Sequence, residues 1–184
     1  MSLIEKSYAL IEKYYGDNPP LKNIYITHVE MVRDKALKVA EHVAHLNPNL
    51  EFIAEASLLH DIGIFKTNCP EIFCHGTADY IEHGYLGREI LDAEGLPLHG
   101  LVAERHTGSG ITKQEIIDQK LPLPVRDMLP LSLEEKIVCY ADCFYSKNPA
   151  RLREEKSPEA VRASLLKFGE ACAARFDELH KLLG

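Results

Sequence analysis

The chain has 184 residues, of which 46% are hydrophobic and 27% are charged, and its formal net charge is −7. This length and composition are typical of one globular domain that can bury a substantial core. The acidic balance, without a dense cluster of lysines and arginines, argues against binding to a nucleic-acid polymer. It does not exclude a small phosphorylated ligand, which needs only a few local cations and a metal ion.

The N-terminal segment does not resemble a targeting sequence. Residues 1–16 interleave acidic and basic side chains without a long apolar core, and no run of about 18 apolar residues exists to span a bilayer. The five cysteines contain no Cys-x-x-Cys motif. We therefore predict a cytoplasmic protein with reduced, structural thiols and no membrane partner.

Apolar residues recur at helical spacing along the chain, whereas no segment sustains the alternation of a β-strand. Glycine and proline interrupt this pattern: Gly16 and a turn at Asn18-Pro19-Pro20 follow the first helix, and Gly95 with Pro97 ends a later one. Residues 64–76 form an irregular stretch. The first half of the chain is thus predicted to hold helices over residues 2–15, about 22–46, 50–61, about 78–94 and 98–106.

In the second half of the chain, N-terminal capping signals mark where helices begin. The segments 112–115 and 132–135 both match the capping-box pattern, and the second precedes the helix that carries Asp142. Ser157 is predicted to cap a final helix over about 157–183, with Pro158 at its first position. The apolar stripe of that helix consists of Val161, Leu165, Phe168, Cys172, Phe176, Leu179 and Leu183. We predict one all-α domain over residues 1–184.

The most informative motif is His60-Asp61-Ile62-Gly63, which closes the apolar run from Phe52 to Leu59. Adjacent imidazole and carboxylate groups at the end of a buried helix place nitrogen and oxygen donors where apolar walls exclude water, an arrangement that suits a divalent metal. The dipeptide alone is weak evidence, because it occurs by chance in many proteins. It gains weight from other residues on predicted helices, namely His28, His83, His106 and Asp142.

Each of these residues also has a purely structural interpretation. A histidine on an apolar helix face, such as His28, is more often a core residue bonded to a carbonyl, and the two later histidines could be capping or surface residues. Asp142 shares its side of the helix with apolar neighbours, where an ionised carboxylate costs several kcal/mol unless it is paired or bound to metal. Arg105 or Arg33 could supply that pairing.

The order His28, His60-Asp61, Asp142 resembles the HD-domain superfamily of metal-dependent phosphohydrolases, in which His-Asp-Ile-Gly is a recognised signature. The resemblance covers about residues 22–147 and implies a helical bundle of the HD/PDEase-like type, with the C-terminal helix packed on it. Two further histidines between the pair and the last aspartate are typical of members that bind two metals. By that resemblance, the first ion would be held by His28, His60, Asp61 and Asp142, and the second by His83 and His106, with Asp61 bridging.

The chemistry that the resemblance implies is hydrolysis of a phosphoester or phosphoanhydride, with a nucleotide or another small phosphorylated metabolite as substrate. The mixed nitrogen and oxygen donors suit one or two ions of iron or manganese, and zinc, nickel or magnesium would also be compatible. Two ions bridged by Asp61 would lower the pKa of a shared water and would neutralise charge on the phosphoryl oxygens.

One departure from the superfamily concerns the residue after the signature. Many two-metal members have a lysine there that contacts the substrate phosphate, whereas this chain has Ile64. Lys66 is two residues further on and is the candidate to replace it. The predicted catalytic residues are Asp61, Lys66 and Arg105, and the predicted substrate-binding residues are Lys66, Arg88, Arg105 and Thr107.

The ligand set alone does not separate a hydrolase from two other classes of protein. Some HD-domain proteins with the same ligand order are di-iron oxygenases that act on inositol or on phosphonate carbon bonds. A third hypothesis is a non-catalytic module that senses a ligand through its metal. The C-terminal helix, with its single apolar stripe, would also allow a homodimer.

Overall fold

The computed structural model describes residues 3–184 and confirms the all-α prediction. Residue 2, which the first predicted helix included, lies outside the described residues. The α-helices are α1 (Leu3–Tyr15), α2 (Pro19–His42), α3 (Leu50–Leu59), α4 (His83–Ala93), α5 (Pro97–Arg105), α6 (Lys113–Gln119), α7 (Leu133–Asp142), α8 (Pro158–Leu166) and α9 (Glu170–Leu183). Single 3-10 turns span Ala44–Leu46, Ile64–Lys66, Pro70–Ile72, Tyr80–Glu82 and Pro149–Arg151. Within the irregular stretch, β1 (Asn68–Cys69) and β2 (Cys74–His75) form a short antiparallel ribbon.

The long helix α2 begins earlier than the sequence pattern predicts. Pro19 and Pro20, which we interpreted as a turn, occupy its first two positions, where a missing backbone N–H costs nothing. Asn18 is the N-cap, and its side-chain oxygen accepts a hydrogen bond from the Leu21 N–H at 3.3 Å. The segment predicted as a turn is therefore the start of the helix that carries His28.

The predicted C-terminal helix over 157–183 is two helices, α8 and α9. They are separated at Gly169, whose φ of +129° is a conformation that residues with a Cβ atom rarely adopt. The break turns Phe168 outward, so that this residue is 69% exposed, although we predicted it in the apolar stripe. The other stripe residues are buried: Val161, Leu165, Cys172, Phe176, Leu179 and Leu183.

The two predicted capping boxes differ in the structure. Thr112 and Glu115 form the complete reciprocal box at the start of α6. At α7, Ser132 caps the helix by accepting from the Glu135 N–H at 3.1 Å, but the Glu135 carboxylate accepts from the Leu131 N–H at 2.9 Å rather than from Ser132. The second capping box is therefore incomplete, and the Glu135 carboxylate is available to pair with another element.

The hydrophobic core has two large parts that meet along α2. One part joins the C-terminal half of α2 to α3, α7, α8 and α9, and it includes Val32. The other joins α1, the N-terminal half of α2, the end of α3, α4 and α5, and it includes Val29. His28 lies beside this boundary, so a polar site there is enclosed by apolar residues on both sides. Within residues 3–184, no helix is both long enough and apolar enough to cross a bilayer.

The turn that follows α3 packs closely against α4. A Cβ atom added to Gly63 would lie 2.2 Å from the His83 carbonyl oxygen and 2.5 Å from the Gly87 nitrogen. Both atoms belong to the backbone, so neither can move aside without moving the helix. The glycine of the signature motif is therefore required by the close approach of two backbones, which holds His60 and Asp61 near the start of α4.

We expect the Gly63→Ala substitution to destabilise the protein by about 2–3 kcal/mol, the upper range for forcing an extra carbon into a packed interior. Gly87→Ala is the matched control, because its added Cβ would lie 3.3 Å from the side chain of Ala103 and would gain helix propensity. Urea unfolding of both variants measures the difference. Equal losses of stability in the two variants would show that the close backbone approach at Gly63 is not the cause.

Candidate metal centre

The fold brings together the six residues that the sequence predicts as metal ligands. They come from five positions: the middle of α2, the end of α3, the start of α4, the residue after α5 and the last residue of α7. They form two groups that share Asp61, and within each group the donor atoms lie within 4.8 Å of one another. The first group is His28, His60, Asp61 and Asp142, and the second is Asp61, His83 and His106. All six are buried except Asp142, whose side chain is 14% exposed.

The first group has the spacing of donors around one ion. Asp61 Oδ2 lies 3.1 Å from His28 Nε2 and 3.2 Å from His60 Nε2. Asp142 Oδ1 lies 2.9 Å and 3.4 Å from the same two nitrogens. Donors held about 2.1 Å from a common ion are separated by roughly 3.0–3.4 Å in octahedral or tetrahedral geometry. The four residues therefore suit a small divalent cation.

The second group uses the other oxygen of the same carboxylate. Asp61 Oδ1 lies 3.5 Å from His83 Nε2 and 3.3 Å from His106 Nε2, and these two nitrogens are 3.1 Å apart. One oxygen of Asp61 thus faces each group. This is the arrangement of a carboxylate that bridges two cations.

Backbone hydrogen bonds orient three of the imidazoles. In each of them Nδ1 lies 2.7–2.8 Å from the carbonyl oxygen three residues earlier in the chain. A carbonyl only accepts, so Nδ1 carries a proton and Nε2 is the ring nitrogen left to bind a metal. In the second group the Nε2 atoms of His83 and His106 face each other at 3.1 Å, and one cation could take both as ligands. The three pairs are His60 with Ser57, His83 with Tyr80, and His106 with Ala103.

Several buried donor atoms in the centre form no hydrogen bond among the described residues, namely Asp61 Oδ1, His60 Nε2 and both ring nitrogens of His28. Apart from His28 Nδ1, they have the other ligand atoms of the two groups as close polar neighbours, without the alignment of a hydrogen bond. An unsatisfied buried polar group costs about 1–3 kcal/mol, and a charged one costs more. A divalent cation would satisfy these atoms together, so the donor set present fits the metal that the sequence predicts.

Sequence reasoning missed Lys147, which enters the centre from the loop after α7. Its Nζ lies 2.7 Å from Asp61 Oδ2, and only 14% of its side chain is exposed. Burial lowers the pKa of Lys147, but the charges of Asp61 and Asp142 outweigh this effect and raise it well above its usual value. The ammonium therefore stays charged. The sequence signal for this residue was only that a lysine follows Asp142 by five residues. Helical periodicity does not extend into that loop, so it could not indicate that the side chain points into the centre.

The ionisation of the other groups follows from the same charges. Burial raises the pKa of Asp61 and Asp142, but Lys147 and the surrounding histidines lower both well below the usual value, so both are carboxylates. Burial lowers the pKa of His83 to about 3, which keeps its ring neutral. For His60 burial also lowers the pKa, but the two carboxylates raise it to about 10. A metal ion that binds there must displace that proton.

The two arginines that we predicted to bind phosphate are directed elsewhere. Arg105 Nη1 pairs with both carboxylate oxygens of Glu135 at 3.1 Å and 2.9 Å, and Arg88 pairs with the buried carboxylate of Glu104. These pairs neutralise buried carboxylates, and Glu104 is paired with Arg126 as well. We therefore withdraw Arg88 and Arg105 as phosphate ligands.

The remaining predicted residues have different positions. Among residues 3–184, the Lys66 ammonium has no ion pair or hydrogen bond, whereas its backbone N–H donates to the Gly63 carbonyl oxygen and its carbonyl accepts from the N–H groups of residues 77 and 78. Arg33 pairs with Asp34 rather than with Asp142. Thr107, next to His106, lines a cavity beside the centre. The cation next to the bridging carboxylate is thus Lys147 rather than Lys66.

Thiol groups of α7 hold the loop that follows His106. Cys139 and Cys143 donate to the Gly108 carbonyl oxygen, with sulfur to oxygen distances of 3.5 Å and 3.1 Å. All five cysteines are free thiols, and burial raises the pKa of both Cys139 and Cys143. These neutral thiols contact the backbone, and they are not among the metal-ligand groups of the described residues.

Among the known proteins that this chain resembles are three that match two thirds or more of its length. It is 37% identical to an uncharacterized protein of Methanocaldococcus jannaschii over 75% of this chain and 72% of that protein. It is 39% identical to the tRNA (cytidine(56)-2'-O)-methyltransferase of Picrophilus torridus, over 67% of this chain but 32% of that protein. The protein of the same name from Thermoplasma volcanium is 31% identical, over 86% of this chain and 41% of its own length.

The chain therefore spans well under half of the length of the two methyltransferases that it matches. No solved structure matches it significantly. The family model described as HD domain matches residues 25–146, a range that contains all six residues of the two ligand groups. With this match over more than half of its length, the chain belongs to the HD-domain family.

Proposed function

We propose that this protein is a metal-dependent phosphohydrolase that cleaves a phosphoester or phosphoanhydride bond in a small phosphorylated compound. The observation that carries the proposal is the sharing of one buried carboxylate, Asp61, between two groups of donors, with the Lys147 ammonium 2.7 Å away. Membership of the HD-domain family supports it, because metal-dependent hydrolysis is typical of that family.

When bound, divalent ions at these two groups would activate a water molecule and neutralise charge on the phosphoryl oxygens. The residues of the chain have distinct roles around that chemistry. Asp61 fixes the spacing of the two groups, and the backbone-oriented imidazoles hold their lone pairs toward them. Lys147, next to the shared carboxylate, would supply a compact positive charge for a phosphoryl oxygen, the role that many superfamily members give to a lysine directly after the signature.

The methyltransferase names of two relatives do not change this proposal. Those names describe proteins of which this chain matches 32% and 41%. The matched HD region of this chain holds every proposed metal ligand. We therefore propose hydrolysis, and not methyl transfer, as the activity of this chain.

The proposal is tested by metal analysis of the freshly purified chain together with two assays. With manganese and without oxygen, we expect phosphate release from at least one member of a panel of phosphomonoesters, phosphodiesters and nucleotides. The second assay supplies iron and measures oxygen uptake with inositol and with phosphonates. Oxygen uptake without phosphate release would contradict the proposal and would favour the oxygenase hypothesis, and metal-free protein with full activity would contradict both.

A further inference from the structure

A cavity of about 480 Å³ lies beside the second group of metal ligands. Its wall includes His83, whose Nε2 faces Asp61, and Thr107, which directly follows His106. The volume is within the range of pockets that hold small molecules. A ligand in this cavity would therefore contact His83, one of the predicted ligands of the second group.

The rest of the wall is mostly hydrocarbon. Ile81, Ile111 and Leu121 line it, and they pack with the small apolar cluster around Ile116. Phe168 lies at the same cavity and is 69% exposed, because the break at Gly169 turns it away from the core. An apolar wall with an exposed aromatic ring favours a ligand whose main part is apolar over a ligand that is heavily hydrated.

The charges around the cavity limit what else a ligand can carry. Arg175 is the one lysine or arginine among the described residues that line it, and its Nη2 already donates to Glu115 at 2.9 Å and to the Gly110 carbonyl at 2.8 Å. Its Nε is buried and has no hydrogen-bonding partner among the described residues. No free cation is left among these lining residues to hold a second phosphate group, whose charges would be costly to bury unpaired.

We propose that this cavity binds the uncharged, mainly apolar body of a phosphomonoester whose phosphoryl group lies at the metal centre. The inference rests on the proposed hydrolase function, and it adds a class of substrate and a location for the part that is not phosphate. Ile111, Leu121 and Phe168 contact the apolar body.

The test uses two pairs of probes that differ only in the apolar body. The substrates are 2-phenylethyl phosphate and ethyl phosphate, and the non-hydrolysable ligands are 2-phenylethylphosphonate and ethylphosphonate, titrated calorimetrically into manganese-loaded protein. We expect the phenylethyl member to have a kcat/KM and an affinity about 10- to 100-fold higher, the range for filling an apolar pocket. Phe168→Ala is expected to remove most of that preference through KM.

Leu166→Ala is the matched control, because Leu166 is also an exposed apolar residue near the end of α8 but is not part of the cavity wall. Both variants change exposed side chains, so both are expected to fold. Equal affinity for the two phosphonates, or the same loss in both variants, would overturn the cavity assignment alone. Preferential phosphonate binding without any phosphate release would support the cavity and overturn the hydrolase function.

Discussion

Replacing Asp61 with alanine is expected to remove both bound ions and to reduce phosphatase activity to background. Its two oxygens face the two groups of donors at 3.1–3.5 Å, so no other residue of the centre serves both. The loss also leaves the Lys147 ammonium buried without its closest partner, and removing one member of a buried ion pair typically costs about 3–5 kcal/mol. Metal content measured by mass spectrometry, with thermal unfolding of the same samples, checks both effects.

Asp61→Asn and His83→Ala are the matched controls for this experiment. The amide introduced by Asp61→Asn would keep the shape of the side chain without its charge, so metal loss in that variant cannot be ascribed to a cavity. His83→Ala removes a donor from the second group alone, and we expect it to keep the ion of the first group. Full metal retention in Asp61→Asn would contradict the bridging role, and full retention in His83→Ala would contradict a second ion.

Replacing Lys147 with methionine is expected to lower kcat about 100- to 1000-fold, the loss that follows removal of one preorganised group that stabilises transition-state charge. Methionine fills similar space without the ammonium. Metal binding is expected to persist or to strengthen, because the ammonium lies 2.7 Å from a ligand oxygen and repels a nearby cation. Steady-state kinetics at saturating manganese, with a metal titration of each protein, measures the two effects separately.

Lys66→Ala is the control for the Lys147 experiment. Its side chain has no ion pair or hydrogen bond among residues 3–184, so its removal is expected to leave kcat, KM and metal content unchanged. A Lys147→Met variant with normal kcat would show that this lysine does not contact the phosphoryl group. A comparable loss in Lys66→Ala would restore Lys66 as the replacement for the lysine missing at Ile64.

Helical periodicity and short motifs were sufficient to predict the fold class and to single out six candidate metal ligands, which the resemblance to the HD-domain superfamily divided into two groups. The His-Asp pair ends an apolar run, and His28 and Asp142 each lie on an apolar helix face, where a polar group needs a partner. Each of these signals belongs to a single helix, and it can be recognised within a few helical turns of the sequence. The same local signals correctly predicted the caps at Thr112 and Ser157.

Partners between distant elements could not be predicted in this way. Arg105 and Glu135 are 30 residues apart, and only the packing of α5 against α7 decides that they pair with each other and not with a phosphate. Lys147 lies in a loop, where no period indicates which way a side chain points. The backbone angle of Gly169 divides the predicted last helix in two. The apolar stripe continues across this glycine, so the stripe does not reveal the break.

The sequence by itself therefore determined which residue types lie on the inner faces of the helices, because burial imposes a spacing that is read along one element. Only the tertiary structure decided which charge neutralises which, because electrostatic pairing depends on distances across the fold. In this protein, the candidate metal ligands were predicted from the sequence. The buried cation at Lys147 and the apolar cavity beside His83 were found only in the tertiary structure.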